Sequence, residues 1–271
     1  MAYDRPDLYT CMKAILFDLD GVLYTGDNAI EGAADVINWC LDNAIPHLFL
    51  TNTTSRPRPA LVEKLVSFSI KSNADDFLTP ALAAKQWLSA NISGKIALFI
   101  PDATRDEFAD FVQCEDNAEH GAEAVIIGDL GESWDFKTLN RAFRLLMNNA
   151  ETKLIALGMT RYWRAEDGLR LDAAPFVIAL EHASGRKAIV LGKPSKDFYL
   201  TALDKLGCKA NETIMIGDDI RGDIEGSQRA GIRGLLVRTG KFQHTDLEQG
   251  IKPFDVIESI ADLPAWWNSH N

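Results

Sequence analysis

Short apolar runs alternate with segments of helical periodicity along most of the chain. The first run, Ala14 to Phe17, is continuously apolar and ends at Asp18 and Asp20, which are followed by Gly21. Continuous apolar runs of this length are typical of strands buried on both faces of a parallel sheet. Similar runs recur at 46–50, 96–100, 124–127, 154–157, 188–191, 214–216, 235–237 and 256–257. The pattern predicts an α/β protein built around parallel sheets.

Apolar residues at helical spacing follow most of these runs. Helices are predicted after the run at 46–50, where Ser55 is a candidate N-cap, and over about 106–111, 176–183 and 221–230. Trp266 and Trp267 are predicted to lie in a terminal helix that packs on the core. The stretch 158–174 has neither a continuous apolar run nor apolar residues at helical spacing, and it is predicted to be irregular.

The strand and helix pattern restarts near residue 94, which predicts a second module inserted into the first. We expect a discontinuous core domain formed by residues 1–80 and 186–271, and a smaller α/β domain formed by residues 81–185. A length of 271 residues is sufficient for two domains of ordinary size.

Polar side chains follow four of the predicted strands. Asp18 and Asp20 follow the first, Thr51 and Asn52 the second, Lys193 the run at 188–191, and Asp218 and Asp219 the run at 214–216, with Asp223 four residues later. Each alone suits a turn, a helix cap or a solvated surface. We expect all four strand ends to meet at the carboxyl edge of one parallel sheet, where open α/β sheets bind ligands. Neighbouring carboxylates repel each other, so holding them ionised requires a cation, and Mg²⁺ prefers such oxygen ligands.

Composition narrows the classes of partner. The chain has 28 basic and 39 acidic residues, a formal net charge of −11, which disfavours nucleic acid and anionic membranes as partners. Its four cysteines lie far apart with no CxxC spacing, and its five histidines show no metal-ligand spacing. With no long apolar stretch and no signal-peptide pattern, a cytoplasmic location is expected.

The motifs at the strand ends resemble those of the haloacid dehalogenase (HAD) superfamily of phosphohydrolases. DLDGVLY matches its first motif, LTN its second, GKP its third and GDDIRGD its fourth. About 140 residues separate the second motif from the third, as in members that carry a large α/β cap there (subfamily IIA). The resemblance implies a Rossmann-like core with an inserted cap that sets substrate specificity.

Within the superfamily, the sequence is most similar to the phospholysine phosphohistidine inorganic pyrophosphate phosphatase group. The similarity lies in GESWDFKTLNRAFRLLM, TRYW, DGL, ALEHASG and VRTGKF. Mammalian members of that group have Ser at the position of Asp20, whereas Asp20 matches the general superfamily pattern.

The resemblance implies roles for the strand-end residues in a Mg²⁺-dependent phosphatase reaction. Asp18 would be the nucleophile that forms an aspartyl phosphate, and Asp20 the general acid and base. Lys193 would balance the charge on Asp18 and on the transferred phosphoryl group. The phosphoryl oxygens would be bound by Thr51, Asn52 and Thr53, and Mg²⁺ by Asp18, the carbonyl of Asp20 and Asp218, with Asp219 or Asp223 holding its waters.

The substrate is expected to be a small phosphorylated molecule, either a phosphomonoester, a phosphoamide or pyrophosphate. Residue types alone leave three roles open for the cluster Arg161, Tyr162, Trp163 and Arg164, which are a solvated loop, a dimer contact and a substrate-reading loop. The resemblance favours the last, because the corresponding cap loop faces the catalytic end. Cap-mediated dimers are common among similar proteins, so a homodimer is also an open expectation.

Three other activities fit the same residues. A phosphotransferase or sugar-phosphate mutase would use the same groups with a different acceptor. A carbon–halogen hydrolase would use the aspartate nucleophile without a metal or an acid at Asp20. A receiver-like phospho-acceptor module also combines clustered aspartates with Thr and Lys, but it is much shorter and has no inserted domain.

Overall fold

The computed structural model describes residues 11–165 and 168–271. The chain divides into two compact units. The core unit comprises residues up to Thr51, Arg58–Leu78 and Lys193–Asn271, and the inserted unit comprises Asn52–Pro57 and Thr79–Gly192. The role in substrate specificity assigned to residues 81–185 stays a prediction.

Strands and helices alternate through both units. The strands are β1 (Ala14–Asp18), β2 (Tyr24–Thr25), β3 (Asn28–Ala29), β4 (His47–Leu50), β5 (Phe77–Leu78), β6 (Lys95–Phe99), β7 (Ala122–Ile127), β8 (Lys153–Ala156), β9 (Tyr162–Ala165), β10 (Gly168–Leu171), β11 (Ala188–Val190), β12 (Thr213–Gly217), β13 (Arg233–Val237) and β14 (Asp255–Ile257). The helices are α1 (Ala33–Asp42), α2 (Arg58–Ser67), α3 (Pro80–Asn91), α4 (Asp102–Arg105), α5 (Phe136–Asn148), α6 (Ala173–Ser184), α7 (Lys196–Leu206), α8 (Gly226–Arg229) and α9 (Leu263–His270).

The core unit is built on a six-stranded parallel sheet. Its strand order is β14-β13-β12-β1-β4-β5, so β1 is central, between β12 and β4. Every residue of β1 is buried, as its continuous apolar run predicts for a strand covered on both faces. Trp266 and Trp267 of α9 belong to the hydrophobic core of this unit, which confirms the predicted terminal helix.

The inserted unit has its own parallel sheet of four strands, in the order β11-β8-β7-β6. Its core includes the buried face of α5, formed by Ala142, Leu145 and Leu146. The parallel sheets of the two units confirm the predicted α/β fold class. No helix in the described ranges combines the length and the apolar character needed to cross a bilayer.

Two local predictions are wrong. The stretch 158–174 contains the antiparallel hairpin β9–β10 and the start of α6, and exposed Leu169, Leu171 and Tyr162 show why no buried apolar run marked its strands. The helix expected at 106–111 is replaced by α4 and a 3₁₀ turn at Asp106–Phe108. The helix expected at 221–230 is confirmed, as a π-helical turn, Ile220–Glu225, that leads into α8.

The assignment of β11 to the central sheet is also wrong. β11 pairs with β8 in the four-stranded sheet, and the chain enters the core unit at Lys193. The sixth strand of the core sheet is β5, whose two residues are too few to give an alternating pattern. An apolar run predicts a strand, but it carries no information about which of two parallel sheets the strand joins.

Candidate active site

Three buried carboxylates meet at the carboxyl edge of the six-stranded sheet. Asp18 ends β1, and Asp218 directly follows β12, the strand that is hydrogen-bonded to β1. Asp223 lies in the π-helical turn after β12. Asp18, Asp218 and Asp223 each offer an oxygen, and these oxygens all lie within 4.8 Å of one another. Adjacent parallel strands therefore bring together groups that are 200 residues apart in the sequence, as Asp18 and Asp218 are.

Lys193 joins two of these carboxylates. Its Nζ donates to Oδ1 of Asp18 at 2.5 Å and to Oδ1 of Asp223 at 2.6 Å, and all three side chains are buried. Burial lowers the pKa of Lys193, but the charges of Asp18 and Asp223 outweigh it, and the net pKa lies above its ordinary value. The ammonium is therefore held as a cation between the two acids.

The cluster has more negative charge than Lys193 can balance. Burial, followed by repulsion from Asp18 and Asp223, raises the pKa of Asp218 to about 8. Burial also raises the pKa of Asp223 to about 7, in spite of the adjacent Lys193. A group of buried carboxylates with raised pKa values is typical of a functional site.

The carboxylate cluster fits a hard divalent cation. Oδ1 of Asp218 is buried and has no hydrogen-bond partner among the described residues. A buried carboxylate oxygen without a donor is costly unless another group, such as a metal ion, satisfies it. Three carboxylate oxygens close to one another are the ligands that Mg²⁺ and similar ions take in proteins.

Two predicted metal-site residues, Asp219 and Asp223, lie at the π-helical turn after β12, and their side chains have different roles. Oδ1 of Asp219 accepts hydrogen bonds from the backbone N–H groups of Arg221 and Gly222, at 2.9 and 2.8 Å. Asp219 therefore caps the π-helical turn and lies outside the group of three. Its own N–H donates to Oδ2 of Asp223 at 3.2 Å, which holds Asp223 towards the cluster.

Two residues that sequence reasoning missed also support Asp223. The hydroxyl of Tyr199 in α7 donates to the backbone carbonyl of Gly222 at 2.8 Å. A Cβ at Gly217 would lie 2.2 Å from Cβ of Asp223, so only glycine fits there. The GDD motif contains a signal for Gly217, whereas the position of Tyr199 in α7 gives no sequence signal of this contact.

Asp20 lies two residues beyond Asp18 and remains exposed. The backbone N–H of Gly21 donates to the carbonyl of Tyr24 at 2.7 Å, which closes the turn that carries Asp20. Partial burial and then the negative charge of Asp18 raise the pKa of the Asp20 carboxyl. A carboxyl with a raised pKa and access to solvent suits a group that exchanges protons.

The predicted phosphate-binding residues directly follow β4. Thr51 is buried and follows Leu50, which pairs with Asp18 in the sheet. Asn52 and Thr53 belong to the inserted unit. The next residue, Thr54, was missed. It is buried, its carbonyl accepts from the hydroxyl of Thr104 at 3.1 Å, and its hydroxyl accepts from the N–H of Asp129 at 2.9 Å.

The predicted substrate-reading cluster lies in the inserted unit. Arg161 and Tyr162 are exposed, and the Arg161 guanidinium lies 5.8 Å from the centre of the Tyr162 ring. Trp163 and Arg164 are in β9, and their side chains lie outside the described part of the structure. The role of this cluster stays a prediction.

Comparisons with known proteins identify the family of this chain. Residues 15–111 match the family model described as haloacid dehalogenase-like hydrolase, and residues 190–263 match a second, HAD-hydrolase-like model. The chain is 38% identical over 242 residues to haloacid dehalogenase-like hydrolase domain-containing protein 2 of Bos taurus, covering 89% of this chain and 90% of that protein. It is 38% identical over 256 residues to human phospholysine phosphohistidine inorganic pyrophosphate phosphatase, covering 93% and 92% of the two chains.

Solved structures give the same result. The p-nitrophenyl phosphatase of Archaeoglobus fulgidus superposes with a TM-score of 0.86 at 25% identity, covering 94% of this chain and 99% of that one. The fold and the carboxylate cluster define an α/β enzyme that hydrolyses phosphate bonds. The chain belongs to the haloacid dehalogenase-like hydrolase family, which confirms the resemblance seen in the four motifs.

Proposed function

We propose that this protein is a Mg²⁺-dependent phosphatase that hydrolyses a small phosphorylated compound through an aspartyl phosphate on Asp18. The observation that carries the proposal is the buried cluster in which Lys193 bridges Asp18 and Asp223 beside Asp218. Asp18, Asp218 and Asp223 would hold the metal directly or through water. When bound, Mg²⁺ supplies positive charge that neutralises the carboxylates and the phosphoryl group.

In the first step, a carboxylate oxygen of Asp18 attacks phosphorus, and the bond from phosphorus to the leaving oxygen, or to the leaving nitrogen of a phosphoamide, breaks. Asp20 gives its proton to that leaving atom, which its raised pKa favours. Lys193 remains charged throughout and keeps Asp18 oriented, because its short hydrogen bond fixes one oxygen of that carboxylate. Covalent catalysis of this kind divides one difficult hydrolysis into two easier steps.

In the second step, water attacks phosphorus of the aspartyl phosphate and releases inorganic phosphate. Asp20, now ionised, takes a proton from that water, and the Asp18 carboxylate is restored. Thr51 is proposed to bind a phosphoryl oxygen, which its position directly after the strand residue paired with Asp18 supports. Asn52, the last residue of the second motif, and the adjacent Thr53 are assigned the same role through their backbone N–H groups.

The relatives suggest which compounds to test first. One similar enzyme is named for phospholysine, phosphohistidine and inorganic pyrophosphate, and another for p-nitrophenyl phosphate. Substrates of this kind share a small exposed phosphoryl group on varied leaving groups. Arg161, Tyr162 and Trp163 are the residues proposed to distinguish among them.

A phosphate-release screen tests the proposal. Purified protein is assayed with Mg²⁺ against pyrophosphate, phosphohistidine, phospholysine, nucleoside monophosphates, small sugar phosphates and p-nitrophenyl phosphate. We expect hydrolysis of at least one class, abolished by EDTA and by Asp18→Asn. Transfer of phosphate to an added sugar phosphate instead of water would indicate a mutase, and metal-independent release of halide from a haloacid would indicate a dehalogenase. Either result would overturn the proposal.

A further inference from the structure

The segment that follows β13 contacts Asp218 through its backbone. The N–H of Lys241 donates to Oδ2 of Asp218 at 2.6 Å. This bond uses one oxygen of the carboxylate and leaves Oδ1, which is buried and has no hydrogen-bond partner among the described residues. The two oxygens of Asp218 are therefore in different environments, one held by protein and one available to a cation.

Two glycines enclose the same carboxylate. A Cβ at Gly21 would lie 2.0 Å from Oδ2 of Asp218, and a Cβ at Gly240 would lie 2.1 Å from the same atom. The Cβ at Gly240 would also lie 2.4 Å from Cα of Gly21. Both residues have positive φ, 94° at Gly21 and 65° at Gly240. The backbone after Asp20 and the backbone after β13 thus approach so closely around Asp218 that no side chain fits between them.

A threonine joins the two backbone segments. The hydroxyl of Thr239 donates to the carbonyl of Gly21 at 2.5 Å, across 218 positions of sequence. This bond holds the turn after Asp20 against the turn after β13. The Lys241 side chain adds charge, since burial lowers its pKa but Asp218 and Asp18 raise it, and the net pKa lies above its ordinary value.

We propose that Thr239, Gly240 and Lys241 are positioning residues for the metal ligand Asp218, and we call them the Asp218 clasp. The Lys241 N–H fixes Oδ2, so that Oδ1 is presented to the cation. Gly240 provides the space that Asp218 occupies, and Thr239 keeps Gly21 in place on the other side. The inference rests on the proposed function because it takes Asp218 as a metal ligand. It adds to the site the segment after β13, which carries none of the four family motifs.

The hydroxyl of Thr239 allows a test with little change in shape. Thr239→Val removes the hydrogen bond to Gly21, whereas Thr239→Ser keeps it. Thr213→Val is the matched control, because the Thr213 hydroxyl donates to the carbonyl of Lys209 at 2.9 Å at the opposite end of β12. Binding of Mn²⁺ to the metal-free protein is measured by electron paramagnetic resonance, together with the thermal midpoint of each variant in EDTA.

We expect Thr239→Val to raise the Mn²⁺ dissociation constant by about tenfold, as changes in groups that orient metal ligands do. Thr239→Ser should bind Mn²⁺ as the unmodified protein does, and so should Thr213→Val. A further variant, Lys241→Ala, keeps the backbone N–H and should not weaken Mn²⁺ binding. Gly240→Ala should weaken it at least as much as Thr239→Val, because its Cβ displaces the carboxylate.

Two results would overturn the clasp. One is an unchanged Mn²⁺ dissociation constant in Thr239→Val, and the other is an equal loss of affinity in Thr213→Val. The measurement does not depend on turnover, so it separates this inference from the proposed function. Protein that binds Mn²⁺ in the predicted order of variants but hydrolyses no phosphate compound would support the clasp and contradict the phosphatase assignment.

Discussion

At the residue scale, Lys193 and Asp218 show how much of this site depends on burial. Lys193 is charged because two buried carboxylates surround it, and Asp218 has a raised pKa because it is buried beside two other acids. When all three carboxylates are ionised, one ammonium leaves uncompensated negative charge, which a bound cation would balance. The side chains alone therefore make this cluster a candidate cation site.

The raised pKa values predict how stability depends on pH. In the folded protein the pKa is about 8 for Asp218 and about 7 for Asp223. In the unfolded chain both carboxyls have a pKa of about 4. Between these values the folded protein binds more protons than the unfolded chain, so stability falls as pH rises from about 4 to about 8. In EDTA, we expect the thermal midpoint of the metal-free protein to fall over this range more steeply than that of Asp218→Asn.

Mg²⁺ provides the complementary measurement. Because the bound cation competes with protons for the same carboxylates, its stabilising effect should be larger at pH 8 than at pH 6. The control for these measurements is Asp75→Asn, which changes an exposed carboxylate in a 3₁₀ turn.

The pH profile of the thermal midpoint in EDTA decides the first prediction. Parallel profiles for Asp218→Asn and the unmodified protein would contradict the assignment of the raised pKa to Asp218.

At the element scale, the C-terminal end of α5 depends on a single arginine. The guanidinium of Arg186 donates to the backbone carbonyls of Leu146, Asn149 and Ala150, with distances of 3.2 and 3.0 Å to the first two. These carbonyls lie where a helix has no intrahelical partners for its last C=O groups. Arg186 precedes β11, so it ties the start of that strand to the helix.

Arg186→Met should lower the free energy of unfolding by about 2 kcal/mol, because it removes three hydrogen bonds, one of them to the partly buried carbonyl of Leu146. Arg144→Met is the matched control. Arg144 belongs to α5 and pairs with Glu119, but both side chains are exposed, and such pairs contribute about 0 to 1 kcal/mol. Urea unfolding of the two variants gives the comparison, and equal losses would contradict the capping role of Arg186.

The sequence predicts elements better than it predicts their partners. The continuous apolar runs identify β1, β4, β12 and β13 because these strands are covered on both faces. The same signal identifies β11 but places it in the wrong sheet, and it misses β9 and β10, where Tyr162, Leu169 and Leu171 are exposed. In the site, carboxylates after strands are visible in the sequence. Gly240 and Lys241 stand in the sequence as part of VRTGKF, but their contacts with Asp218 could not be predicted, because they act through the backbone and every residue except proline has an N–H to donate.

At the scale of the whole molecule, the segment that forms the four-stranded sheet is inserted in the sequence between segments that form the six-stranded sheet. The core unit, with residues up to Thr51, Arg58–Leu78 and Lys193–Asn271, holds the six-stranded sheet and the cluster of acids, while Thr79–Gly192 in the inserted unit hold the four-stranded sheet. This arrangement separates the chemistry from the segment proposed to select the substrate. Changes at Arg161 and Tyr162 are thus expected to act on substrate preference, and changes at Asp18 on every substrate.

The most direct test of the account is the hydrolysis of p-nitrophenyl phosphate by Asp18→Asn in saturating Mg²⁺. The change keeps the size of the side chain but removes the nucleophile, and we predict that kcat falls by about a thousandfold or more. Asp75→Asn, prepared in the same way, should retain the rate of the unmodified enzyme. A rate for Asp18→Asn equal to that of the unmodified enzyme would contradict the proposed mechanism.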